Sequence, residues 1–592
     1  ALADSKTADD AMFFRITSIV GHEYFHNWSG NRVTCRDWFQ LSLKEGLTVY
    51  RDQEFTADLF SRPVQRLDDV TSLRERQFAE DAGPNAHPVR PESAYSIENF
   101  YTATIYEKGS ELIHMIETIV GREKFSKGIT KYFELYDGQA VTTEDFVRAM
   151  EVASGADLKQ FRLWYSQAGT PFVKVSDSYD AATKTYRLNL KQSTPDTPGQ
   201  TSKLPLHIPV RVGLLSTTGK ELVPESVLAF TKAEQSFEFK NVSEKPLPSL
   251  FRDFSAPVKF KYEYSETDDL FLLAKDSNLF NRWEAAQRLF NKAVLGIYES
   301  LQKNDEPKAP AGLIAGLKKN IEEADVDPFF VSRLVQVPSF RILEQELKNV
   351  NPINLDLARK KMKFFMARDL EALLVETVRK YQPRGKFEIT PRAMGERTLM
   401  GAALAYLCTL QKPEHFDTAL KIFAGDTMTE KAHASNAIAN YDSSQTQKLM
   451  TEFYNAYASD GVLVNRWIMN AAIHPKGKTV DRLKAIMDDP RFDKKNPNNN
   501  ASLWRGLTDG SPSAFHQQDG AVYKLLADRI IEIDSFNPNV AARLVHGLEG
   551  WRKYAAPHSH LMKAQLERII SEPKLSPNTF ELASNSVKEQ NA

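Results

Sequence analysis

The 592 residues are more than one ordinary domain needs and leave room for three or four, each with its own buried core. Lys and Arg number 76 against 77 Asp and Glu, a net charge of −1, which excludes the strongly basic footprint of a nucleic-acid binder or of a protein drawn to an anionic membrane. Two cysteines, Cys35 and Cys408, lie far apart without CxxC spacing; they exclude a disulfide framework and point to a reducing, cytoplasmic compartment.

In chain order, the opening ALADSKTADD is polar and acidic, and no run of 18 apolar residues follows anywhere, so neither a signal nor a membrane span is expected. From about residue 10 to 170 the apolar residues recur at three-to-four spacing, as in FFRITSIVGHEYFHNW, LSLKEGLTVYRDQEF and YEKGSELIHMIETIV, which predicts helices. Near Gly169, Thr170 and Pro171 the pattern changes to short alternating runs (FVKVSDSY, TYRLNLKQ, HIPVRVGLL, QSFEFKNV, VKFKYEYS) separated by turn residues, which predicts a small antiparallel β-domain. Helical segments then run to the end, punctuated by DPFF, KPEHF, DDPRF and NPNNN, the last read as a polar loop; paired helices stacked into a curved array fit them. The last ten or so residues read as loose. The division expected is 1–170, 171–265 and 266–592.

The first helix carries His22-Glu23-Tyr24-Phe25-His26, an HExxH motif. Positions i and i+4 share a helix face, so both imidazoles reach one cation, while Glu23, rotated by roughly 100°, flanks the metal-bound water instead of binding the metal. HExxH alone occurs by chance. A catalytic zinc needs a third protein ligand and an open position. Glu45 lies in the next helix, separated from His26 by 18 residues, and the intervening NWSGNRVTCRDWFQ has the turn residues for an antiparallel return. Asp52, seven positions after Glu45 on the same helical face, reads either as the acceptor of the remaining N–H of a ligand histidine or as a solvated carboxylate. His87, His114 and His516 have no metal spacing to the motif and read as structural; Cys35 and Cys408 read as packed thiols.

The run GHEYFHNWSGNRVTCRDWFQLSLKEGLTVYRDQEF, with NFYTATIYEKG, RLWYSQAGTPFVKV and AFHQQDG, resembles the bacterial alanyl aminopeptidase (aminopeptidase N) branch of the M1 metallopeptidases along essentially the whole chain. The resemblance implies a thermolysin-like zinc peptidase domain, a β-sandwich and an α-helical superhelix. It also implies one Zn²⁺ held by His22, His26 and Glu45, Glu23 as general base and acid, and removal of single N-terminal residues from peptides with broad specificity. Tyr106 matches the family tyrosine that hydrogen-bonds the tetrahedral oxygen, and Tyr101 a residue lining the pocket for the first side chain. Asn539 and Arg543 match positions where relatives close the helical domain over substrate, with a glutamine where this chain has Asn539; Asn500 and Ala501 stand where basic residues are expected.

The family recognises the free α-ammonium partly through a GxMEN motif upstream of the zinc helix, and the sequence holds none. It is therefore expected to lack the upstream part of its catalytic domain, and to bind zinc yet hydrolyse poorly. Peptides are the expected partners, with no nucleic acid or membrane, and the chain is expected to be monomeric. A thermolysin-type endopeptidase, a non-catalytic scaffold and an epoxide hydrolase like one specialised relative remain alternatives to an aminopeptidase.

Overall fold

The computed structural model describes residues 3–93, 97–439, 444–474 and 477–588. They form two compact units, one made of the residues through Phe14 with those from Gln287 on, the other of Arg15–Ala286.

The unit Arg15–Ala286 holds most of α1 (Asp10–His26) and then β1 (Thr34–Cys35), α2 (Leu41–Leu59) and α3 (Arg62–Ser72). A five-residue π turn (Leu73–Gln77) joins α3 to the short α4 (Phe78–Asp81), and a second of five residues (Thr104–Lys108) opens α5 (Gly109–Val120). Asp37 ends the loop between α1 and α2: its carboxylate accepts from the Phe39 N–H, 3.0 Å away, and starts the turn that enters α2. The loop is fastened by a parallel pairing of β1 with β2 (Ala140–Val141), Thr34 opposite Ala140. Helices α2 and α5 cross with their backbones in contact: a Cβ on Gly46 would lie 2.7 Å from the Gly109 carbonyl carbon, so only glycine fits beside Glu45.

Seven further strands follow: β3 (Phe172–Asp180), β4 (Thr185–Ser193), β5 (Ile208–Leu215), β6 (Glu221–Phe230), β7 (Glu234–Phe239), β8 (Leu247–Leu250) and β9 (Lys259–Lys261). They make a four-stranded sheet of order β7-β4-β3-β9 and a three-stranded sheet of order β6-β5-β8. The domain is not wholly antiparallel as expected, because β9 joins β3 in parallel, Phe172 opposite Lys259. That strand arrives from the far sheet through the buried turn at Phe251–Phe254, not through a hairpin.

One apolar core runs through this unit. Leu43 and Leu47 of α2, Ile113 and Ile116 of α5, Trp164, Val173 of β3 and Val210 of β5 belong to it, and the Trp164 indole N–H donates to the His207 carbonyl at 2.8 Å. The sandwich thus shares its core with α2, the helix that carries Glu45, and with α5.

The other unit is helix after helix, from Leu279–Gln302 to Pro577–Val587. Many of its helices begin with a capping side chain followed by proline: Asp327-Pro328, Asn351-Pro352, Thr390-Pro391, Asn537-Pro538 and Ser576-Pro577. NPNNN is one of these starts and not a loop. Asn496 caps the helix Pro497–Gly510 by accepting from the Asn498 N–H, and the buried Asn500 donates to the Lys494 carbonyl and accepts from Arg529. The chain end is likewise helical to Val587, with only the last four residues outside those described. The residues through Phe14 belong to this unit, tied by the buried Asp10–Arg397 pair at 2.7 Å and by Asp9–Arg466. Among the described residues no helix is long and apolar enough to cross a membrane.

Candidate metal centre and active site

His22 and His26 stand one turn apart on α1, their rings 4.5 Å apart and nearly perpendicular. Glu45 on α2 points between them: its Oε2 lies 3.4 Å from His22 Nε2 and 3.2 Å from His26 Nε2. The donor atoms of these three residues all lie within 4.8 Å of one another, and no fourth Asp, Glu, His or Cys among the described residues joins the group. Two imidazole nitrogens and one carboxylate oxygen suit a zinc ion with a coordination place left over, so the donor set fits the metal.

Each histidine is oriented from behind, and by different chemistry. His22 Nδ1 donates to Asp52 Oδ2 at 2.8 Å, and Asp52 is steadied by the Ser18 hydroxyl at 3.0 Å. His26 Nδ1 meets the Thr48 hydroxyl at 3.2 Å, which itself donates to the Ser29 carbonyl; with that proton committed, His26 donates to Thr48 and turns Nε2 toward Glu45. Thr48 was missed from sequence, although Glu45, Thr48 and Asp52 follow the three-to-four spacing of one helix face.

Charge explains why these groups tolerate burial. Burial lowers the His22 pKa, but its hydrogen bonds to Asp52 and Glu45 outweigh that and hold it up at about 9. Burial raises Glu45, and the hydrogen bonds to His22 and His26 pull it down to about 2. Lys44 stands 3.6 Å from Glu45 Oε1 and adds to the same effect.

Glu23 is exposed on α1, and its carboxylate makes no hydrogen bond to another described residue. Tyr106 sits in the second π turn, half-buried, packed with Phe39 against Leu41, Phe100 and Ile105. Burial first, and then the Glu45 charge, push its phenol above the usual tyrosine range, so it stays a neutral donor. The Tyr101 ring, 6.3 Å from that of Tyr106, is exposed.

The structure therefore gathers His22, Glu23, His26, Glu45, Asp52, Tyr101 and Tyr106 in one unit. Asn539 and Arg543 belong to the other, exposed on the helix Pro538–Glu549, where Asn539 accepts from Asn578 at 2.8 Å. His114 and His516 are packed histidines whose burial lowers their pKa values. Burial pushes the Cys35 thiol up to about 11 and the Cys408 thiol up to about 12, so neither is a nucleophile at neutral pH.

Known proteins are similar to this chain. The description "Peptidase family M1 domain" matches residues 1–165, a domain of unknown function with an Ig-like fold residues 169–263, and a domain of unknown function with ARM repeats residues 266–588. Aminopeptidase N of Escherichia coli is 38% identical over 98% of this chain and 68% of its own length. Aminopeptidase N of Caulobacter vibrioides is 40% identical over 99% of this chain and 68% of its own length. Among solved structures, Legionella pneumophila aminopeptidase A in complex with aspartic acid superposes with a TM-score of 0.88 at 30% identity, covering 99% of this chain and 67% of that one. A helical peptidase domain, an Ig-like sandwich and ARM-like helices define a multidomain peptidase. The chain belongs to peptidase family M1, in its aminopeptidase N type.

Asp52→Asn keeps the size of the side chain but removes the charge behind His22. It is expected to weaken zinc binding about 10–100-fold, read by competition with a chromophoric chelator. An unchanged affinity would leave Asp52 a mere helix-packing residue.

Proposed function

We propose that the chain is a zinc aminopeptidase that releases single N-terminal residues from peptides with broad specificity, with His22, His26 and Glu45 holding the ion. The observation that supports this most is the meeting of three buried or half-buried donors from α1 and α2 on one point. When bound there, zinc supplies a Lewis acid that polarises the scissile carbonyl and lowers the pKa of water.

The chain's own residues supply the rest. Glu23, one position along from His22 and outside the donor group, takes a proton from the attacking water and returns it to the leaving amine. Tyr106 donates its phenolic hydrogen to the oxygen that gains negative charge; a donor aimed at developing charge lowers the barrier more than one aimed at the ground state. Asp52 and Thr48 hold the imidazoles in the tautomer that presents Nε2. Tyr101, exposed beside Tyr106, lines the pocket for the first side chain. On the same reading the protein is a cytoplasmic monomer.

The test compares alanyl and arginyl anilides with their amino-blocked counterparts, before and after zinc is removed by chelation. Zinc-dependent hydrolysis of the free-amine substrates alone is expected. Cleavage of blocked peptides would replace this reading with an endopeptidase, and zinc binding without any turnover would leave a non-catalytic scaffold.

A further inference from the structure

The π turn that carries Tyr106 is an unusual element. Its Gly109 N–H reaches back to the Thr104 carbonyl, five residues away, in place of the ordinary four, and such turns persist where surrounding structure holds them. Two adjacent carboxylates of α4 hold this one. Glu80 accepts from the Ala103 N–H at 3.0 Å and from the Thr104 N–H at 3.3 Å, covering donors that the start of a helix leaves without partners. Asp81 accepts from Lys108 Nζ at 2.8 Å, with both side chains only 1% exposed, and takes a further hydrogen bond from the Thr170 hydroxyl. Tyr106 lies midway between the two grips.

The Glu80 end is reinforced. His87 Nε2 lies 3.4 Å from Glu80 Oε1 and 2.9 Å from the Thr102 hydroxyl, and that hydroxyl accepts from the Ile105 N–H at 3.3 Å. His87 Nδ1 donates to the Pro88 carbonyl at 2.8 Å, which fixes the ring. The opposite face of the turn meets the first π turn, where Gln77 donates to the Thr104 hydroxyl at 3.3 Å. None of these groups belongs to the metal donor set.

We propose that Glu80 and Asp81 are positioning residues that clamp the two ends of the Tyr106 turn and thereby set the phenol's place at the reacting oxygen. The inference rests on the reading of Tyr106 given above. A hydrogen-bond donor to a developing oxyanion works only at close range, and a misplacement of about 1 Å costs on the order of 100-fold in rate. Backbone N–H groups held by an ionised carboxylate, and a buried ammonium held by another, are strong enough to keep a rare turn in one geometry. A clamp of this kind acts through Tyr106 alone, which separates it from a residue that merely stabilises the fold.

The experiment is a double-mutant cycle on the zinc-loaded chain with an alanyl anilide. Glu80→Gln is expected to lower kcat about 10–100-fold, with KM within about twofold and zinc content unchanged. In a Tyr106→Phe background the same substitution is expected to cause no further loss, and Glu80→Asp to recover part of the rate. A wild-type kcat in Glu80→Gln, a rise in KM alone, or a full additional loss on Tyr106→Phe would each overturn the proposal. If Tyr106→Phe alone retains full activity, the reading of Tyr106 fails, and that result is distinct from failure of the clamp. Should Glu80→Gln melt below the assay temperature, the paired change Asp81→Asn with Lys108→Met provides the same readout, because it removes both buried charges together.

Discussion

Glu23→Gln is expected to lower kcat for an alanyl anilide by about 10²–10⁴-fold, the usual range for loss of a general base, while zinc still binds with near wild-type affinity. The reason is geometric. Glu23 follows His22 on α1 and so points roughly 100° away from the ligand face. The three donors that converge are His22, His26 and Glu45, and Glu23 is not one of them. Its carboxylate is exposed and makes no hydrogen bond to another described residue, so the amide replacement leaves no buried group without a partner. What disappears is the capacity to accept a proton from water and pass it to the departing amine. Zinc stoichiometry by elemental analysis and the steady-state rate, measured on the same preparation, check both halves. A variant that loses its zinc along with its rate would make Glu23 part of the metal's support, and one that keeps its rate would remove it from the chemistry.

Much of this site was legible because helix geometry converts sequence spacing directly into direction. His22 and His26 at i and i+4 had to share a face, and Glu45 and Asp52, seven apart, had to share another. Thr48 fell on that second face too, yet a threonine has so many bland uses that spacing alone did not single it out. The clamp on Tyr106 was harder to foresee. Glu80 and Tyr106 are brought together by two π turns, Leu73–Gln77 and Thr104–Lys108, each of which shifts the helical register by one residue. No apolar periodicity announces such an insertion. In the helical unit the punctuation was visible but misread at one point. DPFF and NPNNN each pair a capping side chain with a proline at the first helical position, which marks a helix start; at NPNNN the run of asparagines suggested a loop, whereas burial of Asn499 and Asn500 makes them structural. The sandwich was predictable from its alternating runs, but the parallel partner of β3 was not, since a three-residue strand returning from the other sheet carries no turn signal of its own.

Glu45→Gln is expected to weaken zinc binding by more than the about 10–100-fold that loss of a supporting hydrogen bond costs, because it removes a ligand charge and not only a ligand's orientation. It is also expected to change how that binding depends on pH. His22 is held at about 9 while it bridges Asp52 and Glu45, so below that pH a proton occupies the nitrogen that zinc needs. Zinc affinity therefore rises with pH, by up to about tenfold per unit, and levels off above about 9. Without the Glu45 carboxylate the His22 proton is held less tightly, and the plateau should begin at lower pH even though it is lower in height. The same bridge makes opposite demands on the metal-free protein. The raised His22 pKa contributes stability that is complete below its ordinary value of 6.5 and is lost as pH rises through about 9; the lowered Glu45 pKa contributes stability present above 4.5 and lost as pH falls toward about 2. Between these limits, near pH 4.5 to 6.5, the donors satisfy one another best and yield to zinc least readily. Chelator competition across pH 5 to 10, on wild type and Glu45→Gln, tests both consequences. A pH-independent affinity, or an identical onset in the two proteins, would mean that the proton between His22 and Glu45 is not what the metal displaces.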